Sequence, residues 1–357
     1  MATIFYSVMG EGRGHAARAR AMTQSLRDRH RVVLFTSHDA LAFLQEQYRD
    51  DNDVQVHEIP GLKFHYSGDQ LDNVKTIREG LSFKASIGRY TAALAEHFER
   101  ERPDLLVTDF EPLLPRAARR AGVPVLSLDH QHFMSTYDLS SLPARLQRWA
   151  WIMSWSIWAF GIKQQKTVVS AFYKPPLRAG LNDVVQVGPL LRPAVRERTP
   201  HNAGHVLSYL RRATPPRVVD YLADLPVPVK VYGLGEKPPQ GSITFCQIDE
   251  QTFLDDLAGC DSVISAAGNQ LLGEALYFGK PVFALPEKHH HEQCINACFL
   301  EQLGGGEQRA IESVSSDDLH GFLDRRETYR ENLAGSKDSF DGTETAARAI
   351  ESMLTGS

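Results

Sequence analysis

Short apolar runs rich in β-branched residues alternate along this chain with longer stretches whose apolar positions recur every three or four residues. ATIFYSVM (2–9) leads into a helix predicted over 15–28, and RVVLFTS (31–37) into one starting near Asp39. VQVHEIP (54–60) is followed by a helical pattern over 80–100, and DLLVTD (104–109) by one near 112–121, before VPVLSLD (123–129). Strand-helix alternation of this kind predicts a parallel sheet covered on both faces.

The pattern breaks at VGPLLRPAVRERTPHNAG (187–204), where proline and charge replace periodicity. It then restarts with HVLSYL, a helix over 215–224, VPVKVYG, SITFCQ, a helix over 250–258, SVISAAG, a helix over 270–278, PVFALP and a helix over 292–302. The expected organisation is a domain over 1–187, a linker over 188–204 and a second domain over 205–338. A last helical segment, 339–357, can pack back on the first domain. The fold class is therefore α/β, with two doubly wound Rossmann-like domains facing across a cleft. Ligands in such sheets bind beyond the carboxyl ends of the strands.

Composition narrows the function classes. A length of 357 residues suits two cores better than one, and a net charge of −5 argues against nucleic acid as a main partner. The four cysteines, all in the second half, follow no disulfide framework, and the N-terminus enters a strand without a basic, apolar leader. Both points lead us to expect a cytoplasmic protein. RLQRWAWIMSWSIWAFGI (145–162) holds all four tryptophans, and its greasy part, 149–162, is too short and too rich in tryptophan and serine for a membrane span. Its stripe of Trp151, Trp155, Trp158 and Ile162 is expected to be a buried, aromatically packed helix. The alternatives are a peripheral membrane surface, with Arg145 and Arg148 beside it, or a site for a lipid-linked or aromatic acceptor.

Candidate chemistry gathers at strand ends. GEGRGH (10–15) ends the first strand in a glycine corner where Gly12 and Gly14 permit close backbone approach, and His15 or Glu11 can act there as a base. SAAGNQLLGEALYFGKPVFALP (265–286) joins a strand to a helix through Gly268. The first-turn N–H groups of that helix and the positive end of its dipole suit a diphosphate. Glu274, six residues on, is a carboxylate able to accept from vicinal ribose hydroxyls, or else a solvated helix residue. Glu292 and Gln293, in HHHEQCINAC (289–298), open another helix with polar tips suited to sugar hydroxyls. A zinc site from His290 or His291 with Cys294 and Cys298 is the rival reading. DND (51–53) has the look of a metal-binding DxD but lies in a hydrophilic connector, so no metal ligand is assigned.

Taken together, GEGRGHAAR, SAAGN, Glu274, FGKPVFALP, the Glu292-Gln293 pair and NA resemble the GT-B glycosyltransferases. Within these the group with a family 1 or 28-like C-terminal domain is the nearest in motifs. It includes the UDP-glucuronosyl and plant UDP-glycosyl transferases and the N-acetylglucosaminyl transferase of peptidoglycan synthesis. The resemblance implies inverting, metal-independent transfer of a sugar from a nucleotide-diphosphate donor, a UDP-sugar, with no further cofactor. It also implies an acceptor in the first domain and the donor in the second. By position it carries the diphosphate turn to Gly268, Asn269 and Gln270, the ribose contact to Glu274 and the donor-sugar pair to Glu292 and Gln293. The backbone contact to the base falls on Ile248, the catalytic base on His15 and its orienting acid on Asp109. The sequence departs from the pattern at Leu271, where many relatives carry a hydroxyl. It departs again at SYLRRAT (208–214), where a Gly-Ser turn is usual and Arg211 or Arg212 can supply charge to the diphosphate instead. A sugar-nucleotide epimerase and a non-catalytic nucleotide-sugar binding protein are the alternative functions.

Overall fold

The computed structural model describes residues 1–11, 13–61, 66–67, 70–71, 73–160, 163–211 and 213–355. Its first sheet contains β1 (Thr3–Val8), β2 (Arg31–Thr36) and β3 (Gln55–Glu58). A small hairpin, β4 (Tyr66–Ser67) and β5 (Gln70–Leu71), stands apart from it. The sheet continues with β6 (Leu105–Asp109), β7 (Val125–Asp129), β8 (Lys166–Ser170) and β9 (Val184–Val187). The strand order is β3-β2-β1-β6-β7-β8-β9, and every neighbouring pair is parallel. β6 and β7 are buried at every position, as expected of strands covered on both faces, and their polar residues gather toward the carboxyl ends, with Asp109 and Asp129 last.

The second sheet repeats the plan with β10 (Val206–Tyr209), β11 (Val229–Tyr232), β12 (Ile243–Phe245), β13 (Ser262–Ser265), β14 (Val282–Ala284) and β15 (Gly306–Gln308). Its order is β12-β11-β10-β13-β14-β15, again parallel throughout. In each sheet the order reverses once, between β1 and β6 and between β10 and β13. A crevice opens at such a reversal because the helices on either side leave toward opposite faces. Both motif corners, GEGRGH after β1 and SAAGN after β13, fall at these reversals.

Several elements differ from the sequence expectation. The helix predicted over 80–100 begins at Asn73, and β8 and β9 extend the first sheet past the last predicted strand. The Ser316–Leu333 helix was not predicted. Its polar sequence buries only Leu319, Phe322, Leu323 and Leu333, so its periodicity is faint, although Ser315 and Asp318 close a capping box at its start. The Thr343–Thr355 helix packs Ala346, Ala347 and Ile350 into the first domain's core with Ile4, Tyr6 and Leu105.

The largest correction concerns the tryptophan helix, Ala144–Phe160. It buries Leu146, Ala150 and Ile157 against the core, but Trp151, Ile152, Trp155 and Trp158 stand exposed rather than packed. The motif stripe and the buried stripe are different faces of one helix, and a sequence rich in apolar residues on both cannot say which is covered. Ile162 lies outside the described residues, as do Gly12 and Arg212. Among the described residues no helix is long and apolar enough to cross a membrane.

Candidate functional site

Parallel pairing sets Val8, the last residue of β1, beside Asp109, the last of β6. The chain leaves β1 through the glycine corner and enters the Arg13–Leu26 helix, whose first turn carries His15 back over the end of β6. His15 Nδ1 lies 2.7 Å from Asp109 Oδ1, and Asp109 is wholly buried. Arg18, one turn further along the same helix, donates from Nε to Asp109 Oδ2 and from Nη2 to Oδ1, both at 2.9 Å.

Arg18 Nη2 also lies 2.9 Å from His15 Nδ1, so the ring tautomer must be decided on chemistry. An unprotonated Nδ1 would aim its lone pair at a carboxylate oxygen 2.7 Å away, whereas Nη2 already has Oδ1 as an acceptor. Nδ1 therefore carries the hydrogen and donates to Asp109, leaving Nε2 as the acceptor. Since Asp109 and Arg18 are almost fully covered and His15 keeps 12% side-chain exposure, the accessible edge of the ring is the Nε2 edge. A buried acid thus holds the imidazole in one tautomer, an arrangement in which Nε2 can accept a proton. Arg18 escaped the sequence reading, although its spacing of three from His15 on a helix is the signal that would have found it. Glu11, the competing base, is half-buried in the same corner and has interactions of its own.

Glycine has different reasons in this corner. A Cβ at Gly10 would fall 2.1 Å from Ser37 Oγ, so Gly10 is required by packing. A Cβ at Gly14 would meet only Arg18 Nη1, at 3.9 Å, and one at Gly268 would meet nothing within 4 Å. Those two glycines keep open space at the two crevices. Beside the first corner lies a hollow of about 530 Å³ lined by Ser37, His38, Glu58, Gly61, Phe83 and Tyr90.

The two domains meet at these same strand ends. Across the junction Tyr173 stacks on Phe299 at 4.1 Å and donates its hydroxyl to Asn296, while Trp149 stacks on His291. His130, just past β7, is buried with Nδ1 on the Ser170 carbonyl, and its Nε2 has no hydrogen-bond partner among the described residues. That nitrogen faces Glu292 Oε1 at 3.8 Å, and burial lowers the His130 pKa. Its neighbour Asp129 is also buried, yet His132 and Ser127 hold its carboxyl down to about 2. The sequence marks Asp129 as the end of a strand, but nothing in it shows that the DHQH segment (129–132) faces the other domain.

In the second domain the helix Asn269–Tyr277 starts at Gly268, which has ordinary extended backbone, and its first-turn N–H groups stand at the β10/β13 crevice. The side chains expected to serve a ligand there are engaged with other groups of the chain. Asn269 is buried between the domains, accepting from Phe172 N and donating to the Ser170 carbonyl. Gln270 donates to the Leu190 carbonyl and to Glu274. Glu274 is 2% exposed and receives Arg192 Nη2 at 3.0 and 3.2 Å as well as Gln270, so it does not open onto the cleft. Arg192, in the linker, also binds Glu250, which in turn is held by Arg20 of the first domain. The local sequence marks no partner for this arginine, because only the fold brings the segments of Glu250 and Glu274 to it.

Gln293 is likewise turned inward, accepting from Glu287 N, while Glu292 stays partly exposed at the junction. Ile248 is exposed in the loop between β12 and the Glu250–Gly259 helix. Arg211 pairs with Glu287 at 2.7 Å in a hollow of about 180 Å³ that is also lined by Tyr209, the last residue of β10, and by Ala266 and Leu285, the residues just past β13 and β14. Of the metal candidates, His291 is stacked on Trp149, His290 accepts from Gln293 N and Cys294 donates to the Glu287 carbonyl. Asp51 and Asp53 pair with Arg27. Among the described residues no three His, Cys, Asp or Glu side chains gather as a metal-binding cluster.

With this geometry in view, the chain can be compared with known proteins. A family model described as glycosyl transferase family 1 matches residues 2–326. An uncharacterized glycosyltransferase of Methanosarcina acetivorans is 28% identical over 336 residues, covering 85% of this chain and 83% of its own. One from Methanosarcina mazei is 24% identical over 332 residues and covers 85% of each. Among solved structures, Phytolacca americana UGT2 complexed with UDP-2fluoro-glucose and pterostilbene has a TM-score of 0.73 at 13% identity, over 99% of both chains. MurG of Acinetobacter baumannii has a TM-score of 0.64 at 14% identity, over 98% of this chain and 99% of its own. Likeness at such identities concerns the fold, the GT-B arrangement of two facing Rossmann-like domains.

Proposed function

The chain belongs to glycosyl transferase family 1 and is a glycosyltransferase, and from that premise we propose that His15 is the base of an inverting, metal-independent transfer from a nucleotide-diphosphate sugar. The observation that carries this reading is the 2.7 Å contact of His15 Nδ1 with buried Asp109, which leaves Nε2 to accept a proton. The acceptor hydroxyl gives its proton to Nε2 as its oxygen attacks the anomeric carbon, and Asp109 stabilises the imidazolium that forms. Attack from the side opposite the departing diphosphate inverts the anomeric centre.

The leaving group takes up negative charge as its bond breaks. The first-turn N–H groups and dipole of the Asn269–Tyr277 helix, beyond open Gly268, are placed to meet that charge without an ion. Arg211 adds a guanidinium nearby once Glu287 releases it. A UDP-sugar is the proposed donor, in line with the UDP-2fluoro-glucose held by the Phytolacca americana protein. For Glu274 to contact its ribose, Arg192 must first withdraw. The hollow with Ser37, Glu58, Phe83 and Tyr90 suits an acceptor with a hydroxyl on an apolar or aromatic body.

A panel of nucleotide sugars read by thermal shift and by nucleoside diphosphate release tests the proposal, with a chelator present throughout. His15→Ala is expected to retain donor stabilisation while turnover falls by roughly 10²–10⁴-fold. Turnover within about threefold of wild type would remove His15 from the reaction, because a lost general base costs far more. Mass analysis of the product separates transfer to an acceptor from epimerisation of the donor.

A further inference from the structure

The helix Ala144–Phe160 carries two apolar faces, and only one is used by the fold. Leu146, Ala150 and Ile157 pack inward, and Trp149 stacks on His291 at the domain junction. On the outer side Trp151, Ile152, Trp155 and Trp158 are 58%, 59%, 57% and 77% exposed. The three indoles contact each other edge to face, Trp151 with Trp155 at 5.9 Å and Trp155 with Trp158 at 6.3 Å, so they form one continuous patch. An exposed patch of this kind marks an interaction surface.

The charge around the patch identifies what it meets. From Ala144 to Lys166 there is no aspartate or glutamate, while Arg145, Arg148, Lys163 and Lys166 are all present in a protein of net charge −5. Exposed Arg148 lies one turn before Trp151 and Ile152, on the same stripe, and exposed Lys163 follows the helix. A second copy docking through this face by twofold symmetry would bring these like charges together. Tryptophan, with an apolar body and an N–H that keeps a polar partner, suits a boundary between hydrocarbon and water, and the basic residues around the patch favour an anionic surface there.

We propose that the outer face of the Ala144–Phe160 helix docks the enzyme on an anionic lipid bilayer, with the three indoles at the headgroup boundary and Arg148 and Lys163 on lipid phosphates. Trp149 stacks on His291, the residue before Glu292, so the docked face adjoins the junction where the two domains meet. The inference is independent of the base assignment above, since binding to vesicles does not require turnover.

The experiment uses the full chain and its own fluorescence, because all four tryptophans lie on this helix. With vesicles of brominated phosphatidylglycerol the emission is expected to shift to the blue and to be quenched, while phosphatidylcholine alone has little effect. The surface variant W151S/W155S/W158S is expected to co-sediment with anionic vesicles on the order of tenfold less. It keeps Trp149 as a reporter that the helix remains packed on His291, and its rate on a soluble acceptor should match wild type. R148Q/K163Q should lose the preference for anionic lipid and the salt dependence of binding. Wild-type protein that stays in the supernatant with both lipids overturns the proposal. So does concentration-dependent self-association that the triple variant abolishes, or loss of turnover on the soluble acceptor by a triple variant whose melting temperature is unchanged.

Discussion

The corners after β1 and after β13 have the same construction and opposite uses. Each joins a buried parallel strand to a helix through glycine at the point where its sheet reverses order. In the first, the helix presents side chains: His15 reaches Asp109, and Arg18 holds both carboxylate oxygens from beneath. In the second, the helix presents backbone, because Asn269, Gln270 and Glu274 are turned away into the domain junction and the linker. A strand-turn-helix corner thus supplies either a positioned reactive group or a cluster of N–H donors. Which one it supplies depends on whether the first-turn side chains have something else to bind.

The contrast can be broken first at its charged centres. Arg18→Met leaves Asp109 buried with His15 as its remaining partner, and a buried carboxylate deprived of its guanidinium is expected to cost about 3–5 kcal/mol. Denaturant unfolding measures this, and a loss below about 1 kcal/mol would mean that Arg18 is not what holds the acid. The second corner has a comparable pair in Arg192 and Glu274. Arg192→Met alone is expected to destabilise by about 2–4 kcal/mol, while Arg192→Met with Glu274→Gln recovers most of it, since no unpaired charge remains buried. Additive losses in that cycle would show the two side chains to be independent.

The smallest expected change in stability sharpens the comparison most. Gly268 has a φ of −77° and open space where a Cβ would go, so Gly268→Ala should alter stability by no more than about 0.5 kcal/mol. If the amides beyond it receive a diphosphate, the added methyl should nonetheless weaken donor-induced thermal stabilisation. Unchanged donor stabilisation would mean that the ligand does not approach this turn.

Much of the frame was legible in the sequence because it rests on local rules. β-branched runs such as RVVLFT and SVIS announce buried parallel strands. The site was legible in part. His15 and Asp109 stand at strand ends, where a family pattern and a topological rule agree, and they prove to be in contact. Glu274 shows the opposite case. Its spacing from Gly268 places it on the right helix, but whether its carboxylate meets a ribose or an arginine depends on Arg192, which is 82 residues away in sequence.

By itself, then, the order of residues determined most of the strands, the glycine corners and the catalytic candidates, because backbone sterics and burial on two faces act over a few neighbouring positions. Only the tertiary structure decided which polar side chains remain available and which apolar face of the tryptophan helix is left uncovered. Those outcomes depend on which distant segments arrive as partners, and charge pairing and packing are settled between surfaces rather than along the chain.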